Sequence, residues 1–402
     1  MFSSSSLPSA SQPAYPASAA PSAPGMAGQI TNDEPPAIRV AALHLYQLYD
    51  VAYSIDLEKA RATLATPSAR VRPVVTRGAS IDIAQLPLEI SMGAIEVPLG
   101  GAARNAILYA RIYDLGIIAF RLVMLFRDEM SWQEAIGILS EAQTYPLVVI
   151  EAFERGLELL RTTLAPAMVR PNEVVRPEDY SIFVVERMAE GAQAATLARN
   201  SWLLRAALGE RKPLAPSMWS LATTLSYYED DLILLTWAAA IMIESDPGAR
   251  DDATLLLEFA NAQLLSFRTY DAEVERELAR ITPRLGRLSR VRWPLLRSSR
   301  DFLSEAHTLI ADITEHSSRV ENALKVTEDV YWNRLYAAAL AALRVEAWRT
   351  GIAESLDVLR QMAALLHDEE QVARSTLLEV LVIVLIAVEL VVAIIGLRGG
   401  VH

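Results

Sequence analysis

The chain has 402 residues, a net charge of −12 and 52% hydrophobic residues, enough for roughly two or three domains and at least one sizeable core. An acidic balance of this size argues against a dedicated nucleic-acid binder, which is basic as a whole, and leaves room only for a local basic patch. The absence of cysteine excludes disulfides, iron–sulfur clusters and Cys-ligated zinc.

Residues 1–36 are Ser/Ala/Pro-rich, with no basic residue before Arg39, so neither a secretory signal nor a transit peptide is expected. This composition predicts a disordered tail. Residues 38–49, "IRVAALHLYQLY", read as a strand, and Asp56 reads as the N-cap of a short helix, "LEKARATLA". "VRPVV" (71–75) and "LEISMGAIEV" (88–97) are further strands. "AILYARIYDLGIIAFRLVML" (106–125) reads as a hairpin turning at Tyr113-Asp114-Leu115-Gly116. A capping box, Ser131 to Glu134, opens an amphipathic helix, and a second helix covers about 147–163. "YSIFVVERM" (180–188) returns to strand, and "DLILLTWAAAIMI" (231–243) reads as one buried strand stopped at Asp246-Pro247-Gly248. The expectation for 37–248 is a mixed α+β domain.

Beyond Pro247 the pattern is helical. One helix spans 251–280 and is interrupted at Pro283 and Gly286. A heptad seam runs from Phe302 through Ala306, Leu309, Ile313, His316, Val320, Ala323 and Thr327 to Val330. Another follows from Ile352 through Leu356, Leu359, Ala363, Leu366 and Glu370 to Ala373, with the turn between them at 344–351. These predict an antiparallel helical hairpin, a coiled coil, over 249–376. It leads into "LLEVLVIVLIAVELVVAIIGL" (377–397), where 14 of the 18 residues from Val380 to Leu397 are Val, Leu or Ile. At 1.5 Å per residue this segment measures about 31 Å, against about 30 Å for a bilayer core. Its apolar residues outweigh the cost of about 3 kcal/mol for Glu389 at its centre. The expected fold class is therefore an α+β N-terminal domain, a long antiparallel helical hairpin and one C-terminal transmembrane helix.

Three stretches carry a family likeness: "LLLEFANAQLLSFRTYDAEVEREL" (255–278), "ENALKVTEDVYWNRLYAAAL" (321–340) and "LLEVLVIVLIAVEL" (377–390). They resemble the required-for-meiotic-nuclear-division family, also known as domain of unknown function 155, and the Arg-over-Lys bias of this chain fits a bacterial member. Val380 stands where the family has Trp. The resemblance implies a non-enzymatic membrane protein; its mitochondrial relatives support organellar translation by tethering or organising ribosomes. The family offers no catalytic residue to carry over.

The five histidines show no i, i+4 pair with a neighbouring acid, so no metal site is expected. His316 on the seam reads as a register-setting polar residue. Glu229, Asp230, Asp231, Glu244 and Asp246 read as solvated strand ends rather than a cation site. No phosphate loop, nucleophile elbow or dinucleotide fingerprint is present, and neither a cofactor nor a small-molecule substrate is identifiable. Glu258, Asn261, Arg268 and Asp271 recur along one side of their helix, as a solvated stripe or as a contact surface to another subunit or domain. Arg284, Arg287, Arg290, Arg292, Arg297 and Arg300 form a run without an acid. Such a run suits anionic lipid headgroups or RNA phosphates, or is a plain solvated linker.

Glu379 and Glu389 lie ten residues apart, about 80° around a helix, so both can face a membrane-buried partner helix. The sequence thus points to a single-pass protein of the cell (inner) membrane with its body facing the cytoplasm. It would act as a non-enzymatic scaffold or tether in contact with membrane lipid, self-associating as a homo-oligomer. The alternative is a membrane-proximal RNA- or ribosome-associated factor; an uncharted enzyme comes third.

Overall fold

A computed structural model of the chain describes residues 30–64, 67–71, 80–189, 193–288, 296–327 and 330–399. The first long strand, β1 (Ile38–Asp50), follows period-2 alternation: Ala42, Tyr46 and Leu48 serve one core, Ala41, Leu43 and Leu45 the other. A strand apolar on both sides belongs in the middle of a covered sheet, and β1 occupies such a place. β2 (Ala52–Ile55) and α1 (Leu57–Thr63) follow, with the Asp56 carboxylate accepting from the Glu58 and Lys59 amides, both at 3.1 Å. Then come β3 (Ser68–Arg70), β4 (Ser80–Ile83), β5 (Leu88–Leu99), β6 (Ala102–Ile112) and β7 (Ile117–Phe126). Next are α2 (Trp132–Ala142), α3 (Leu147–Leu164), β8 (Met168–Pro171), β9 (Pro177–Met188) and α4 (Ser201–Leu208). β10 (Thr223–Leu225), β11 (Leu232–Leu235) and β12 (Ala239–Ile243) complete the strands before the long helices.

Among the described residues the main sheet has nine strands in the order β10-β11-β12-β9-β1-β7-β6-β5-β3. Its pairings are antiparallel except for β12 beside β9. One face is covered by α1 to α4 and the other by helices from the C-terminal half: α5 (Pro247–Leu288), α6 (Leu296–Asn322), α7 (Val330–Ala342) and α8 (Val345–Gly399). A single core joins Tyr46, Tyr113 and Ile182 of the sheet side to Phe259 and Phe267 of α5, Trp332 of α7 and Ile352 of α8, and so runs straight across residue 248. The layers are helix, sheet, helix.

The YDLG turn closes the β6–β7 hairpin, with Tyr113 N donating to Ile117 O at 2.9 Å. Gly116 sits at φ +84°, and a Cβ there would lie 1.7 Å from the Ala52 carbonyl oxygen, so glycine is required on two counts. The capping box at Ser131 is formed as the spacing predicts, with the Ser131 amide donating to Glu134 Oε2 at 2.8 Å and the Glu134 amide to Ser131 Oγ at 3.2 Å.

Several expectations are corrected. Residues 231–243 form a hairpin, β11 and β12, because Thr236 closes a turn at 236–239: its Oγ1 donates to Ala239 O at 2.8 Å and accepts from Ala239 N at 3.1 Å. Of the strand placed at 71–75, residues 72–75 lie outside the described residues and Val71 is not in a strand; Ser68–Arg70 just before it forms β3. α5 runs on through Pro283 and Gly286 to Leu288. The seam placed from Phe302 to Val330 is cut at Asn322 by β13 (Leu324–Thr327), which pairs antiparallel with β4. α6 and α8 pass each other antiparallel, Ala306 packing with Leu359 and Ala363 at one level while Arg349 pairs with Glu321 at 3.3 Å further along.

The expected transmembrane helix is also corrected, and with it the single-pass anchor, the inner-membrane localisation and the membrane-tethered scaffold or ribosome factor. Among the described residues no helix is long and apolar enough to cross a membrane. α8 does run through 377–397, but the described side chains there are Glu379 and Val382 to Glu389.

Candidate functional site

The strands β5, β6 and β7 present alternate residues to α5, and these include charged ones. Arg111 on β6 and Glu258 on α5 meet with no water between them: Arg111 Nη1 donates to Glu258 Oε2 at 2.8 Å, with the two side chains 7% and 0% exposed. The Tyr113 hydroxyl donates to the other oxygen, Oε1. Arg111 Nε donates to Glu89 Oε2 at 2.7 Å, and Arg121 Nη2 donates to the same oxygen at 3.0 Å. The register explains the grouping, since Glu89 lies opposite Arg111 on β5 and β6, and Tyr109 lies opposite both Ser91 on β5 and Arg121 on β7. Arg121 stacks over the Tyr109 ring at 5.2 Å. Burial works against the Arg111 guanidinium, but Glu258, Tyr113 and Glu89 together push its pKa up, which keeps it charged. Burial, then the Glu258 charge, pushes the Tyr113 phenol well above its ordinary range.

Two residues of β1 border this cluster. Tyr46 is directly opposite Arg121, and His44 lies two positions away on the same face, their rings 6.3 Å apart and edge to face. Burial, then the charges of Arg121, Arg111 and Arg250, push the His44 imidazole down to about 3, so the ring is neutral. At the other end of β1, burial pushes the Asp50 carboxyl up to about 8 against the hydrogen bonds from Thr269 and Asn172, the latter donating to Oδ1 at 2.7 Å.

The stripe Glu258, Asn261, Arg268 and Asp271 is divided by the fold. Glu258 and Asn261 are buried, and Asn261 Nδ2 donates to Leu257 O at 2.8 Å. Arg268 is exposed, pairs with Glu178 on β9 and lies 5.8 Å from the Trp348 ring of α8. Asp271 is half-buried near Gly351 of α8, and burial pushes its carboxyl up. The stripe therefore contacts this chain's own sheet and last helix. The signal available for it in the sequence was Arg111 near the end of a strand, opposite Glu89, with Tyr113 two positions on at the start of the turn.

The other expected sites separate as well. The side chains of Arg284, Arg287, Arg290, Arg292, Arg297 and Arg300 lie outside the described residues, as does that of His316. Glu379 and Glu389 are exposed, and so are all residues from Val382 to Val388. Of the carboxylates considered for a cation, Asp231 accepts from the amides of Tyr227 and Tyr228 at 2.7 and 3.1 Å, and Glu244 from that of Asp246 at 3.0 Å. These close turns. Among the described residues no group of three or more His, Asp or Glu could hold a metal ion. An open cleft of about 520 Å³ lies beside α2, lined by Arg104, Phe126, Arg127, Glu134, Glu141 and Arg211 among others. Three of its acids are engaged: Glu134 in the capping box, Glu141 with the Gly100 amide at 2.9 Å and Glu129 with Arg39 at 3.6 Å.

A family model described as "Uncharacterized protein MJ0711, N-terminal domain" matches residues 40–250, more than half of the chain, and the chain belongs to that family. The matched span carries every strand of the main sheet from β1 to β12 and stops at the first turn of α5. No curated protein matches the chain, and no solved structure does.

Proposed function

We propose that this member of the family is a non-catalytic assembly protein whose layered body is a fixed platform and whose copies associate through the distal part of α8. The observation that carries this reading is the run Val382 to Val388. Six large apolar side chains there, Val382, Ile383, Val384, Leu385, Ile386 and Val388, are 54–65% exposed, in every direction around the helix. A helix apolar on all sides is stable only when covered on all sides. Covering the exposed half of six side chains at about 1 kcal/mol each makes that cover worth about 6 kcal/mol when complete. Copies of the same helix supply it symmetrically, and Glu379 and Glu389 then flank the contact as polar ends. The likeness of 255–278, 321–340 and 377–390 to the required-for-meiotic-nuclear-division family supports the same non-enzymatic reading, and we infer a kinship with that family. The commitment of Glu258, Arg111, Tyr113, Asp231, Glu244 and Glu134 to structural partners supports it further.

The chain has no cysteine, which makes the test direct. A single Leu385→Cys is introduced into the full chain and oxidised, beside Glu151→Cys on the exposed side of α3 as control. Disulfide-linked pairs at position 385, and few at 151, are expected. Equal yields at the two positions would overturn the reading.

A further inference from the structure

We propose that the cleft beside α2 binds a small zwitterion with an apolar body, an amino acid carrying both its ammonium and its carboxylate group. The cleft measures about 520 Å³, a size usual for small-molecule sites, and all of its lining residues fall inside the span that the family model matches. Three guanidinium groups reach it from three places in the chain: Arg104 on β6, Arg127 just beyond β7 and Arg211 beyond α4. Asp128, Glu134 and Glu141 line the same cleft. Among the described residues none of these three arginines pairs with an acid; Glu129, the cleft acid that does form an ion pair, goes to Arg39 instead.

The opposite charges are held apart around Gly100. Its amide donates to Glu141 Oε2 at 2.9 Å, while Arg104 Nη2 lies 3.7 Å from where a Cβ on Gly100 would stand. Arg104 is itself fixed, since its Nε donates to Leu99 O at 3.1 Å and its guanidinium lies 4.7 Å over the Phe126 ring. Its two Nη groups are left for a carboxylate, which a guanidinium meets with two parallel hydrogen bonds. On the acidic side, the bonds that hold Glu134 and Glu141 use Oε2 of each, which leaves Oε1 of both, and Asp128, as acceptors for an ammonium. The buried side chains that line the cleft are apolar, Phe126, Met130 and Ile138, and suit an aliphatic or aromatic body. An anion alone would meet the guanidinia but sit against the carboxylates, and a cation alone the reverse; one molecule carrying both charges matches both sets. A second observation points to space that is kept open. Gly137, inside α2, lines the cleft, and a Cβ there would meet nothing within 4 Å. Packing does not require glycine at that position, and glycine weakens a helix interior, so what it provides is room in the cleft.

The test titrates the full chain by calorimetry with leucine and, separately, with phenylalanine. Each is compared with the matching acid that lacks the amino group and the matching amine that lacks the carboxylate. Saturable binding of at least one amino acid is expected, with both of its analogues weaker by about tenfold or more. Gly137→Leu fills the cleft without touching a charge and should abolish binding while keeping or raising the melting temperature, so that lost binding is not lost folding. Arg211→Gln, at an exposed position, should weaken binding about tenfold. No saturable heat with either amino acid overturns the proposal. So does an acid analogue that binds as well as its amino acid, which would mark a plain anion site. Binding unchanged in both variants also overturns it, because the amino acid would then sit elsewhere.

Discussion

Glu258 and Arg111 are 147 positions apart in sequence and 2.8 Å apart in space, joined where α5 lies across the middle of the sheet. Both are buried, and each is the main reason the other can remain so. The pair thus registers the C-terminal helices on the strands in a way that apolar packing, which is not directional, does not.

Breaking the pair from one side should therefore cost far more than removing it whole. Glu258→Ala leaves the Arg111 guanidinium with Glu89 alone and should lower stability by about 3–5 kcal/mol. The double variant Arg111→Met with Glu258→Leu should recover most of that loss. Urea titration of the three variants measures this, and a double variant as weak as the single one would show that the pair is not acting as a unit.

The depressed His44 predicts acid sensitivity well above the carboxylate range. Its folded pKa is about 3, against 6.5 in the unfolded chain. Between these values the unfolded chain binds a proton that the folded chain refuses, so stability falls as pH falls from 6.5 toward 3. Going from pH 7 to pH 4.5 should cost about 2 kcal/mol at this site. Denaturation midpoints of the wild type and His44→Gln at the two pH values test this; the variant should lose less.

Asp50 works in the opposite direction. Its folded pKa is about 8 against 3.8 as the unperturbed value, so the folded chain keeps a proton that the unfolded chain releases between them. Stability is therefore lost as pH rises through that window. Asp50→Asn keeps the size and the contact with Asn172 while removing the titration, and should hold its melting temperature between pH 6 and pH 8.5 where the wild type declines. Parallel curves would count against a proton on Asp50.

Gly116→Ala should be among the most damaging small substitutions. It places a Cβ 1.7 Å from the Ala52 carbonyl oxygen, and the backbone there is at φ +84°. Since Val51 N also donates to Gly116 O at 2.9 Å, the turn cannot move away without releasing the end of β1. A loss above about 3 kcal/mol, or insoluble expression, is expected. Gly101→Ala provides the contrast: its φ is also positive, at +73°, but a Cβ there meets nothing within 4 Å, so only backbone strain of about 1 kcal/mol remains.

The sequence by itself determined what depends on neighbours in the chain. β1, the β6–β7 hairpin, the Ser131 capping box, α3 and the start of α5 are all written in alternation, turn residues and caps, whose physics acts over a few residues. What it left undecided depends on partners far along the chain. The turn that splits 231–243 rests on a threonine rather than glycine or proline. β13 is a strand only because β4, some 240 positions earlier, lies beside it. Glu258, Arg111 and Glu89 each look like an ordinary polar residue on a helix or strand surface. Only the tertiary structure, by laying α5 over the sheet and removing the water, turned them into a buried cluster, because desolvation is a property of what covers a residue and not of the residue itself.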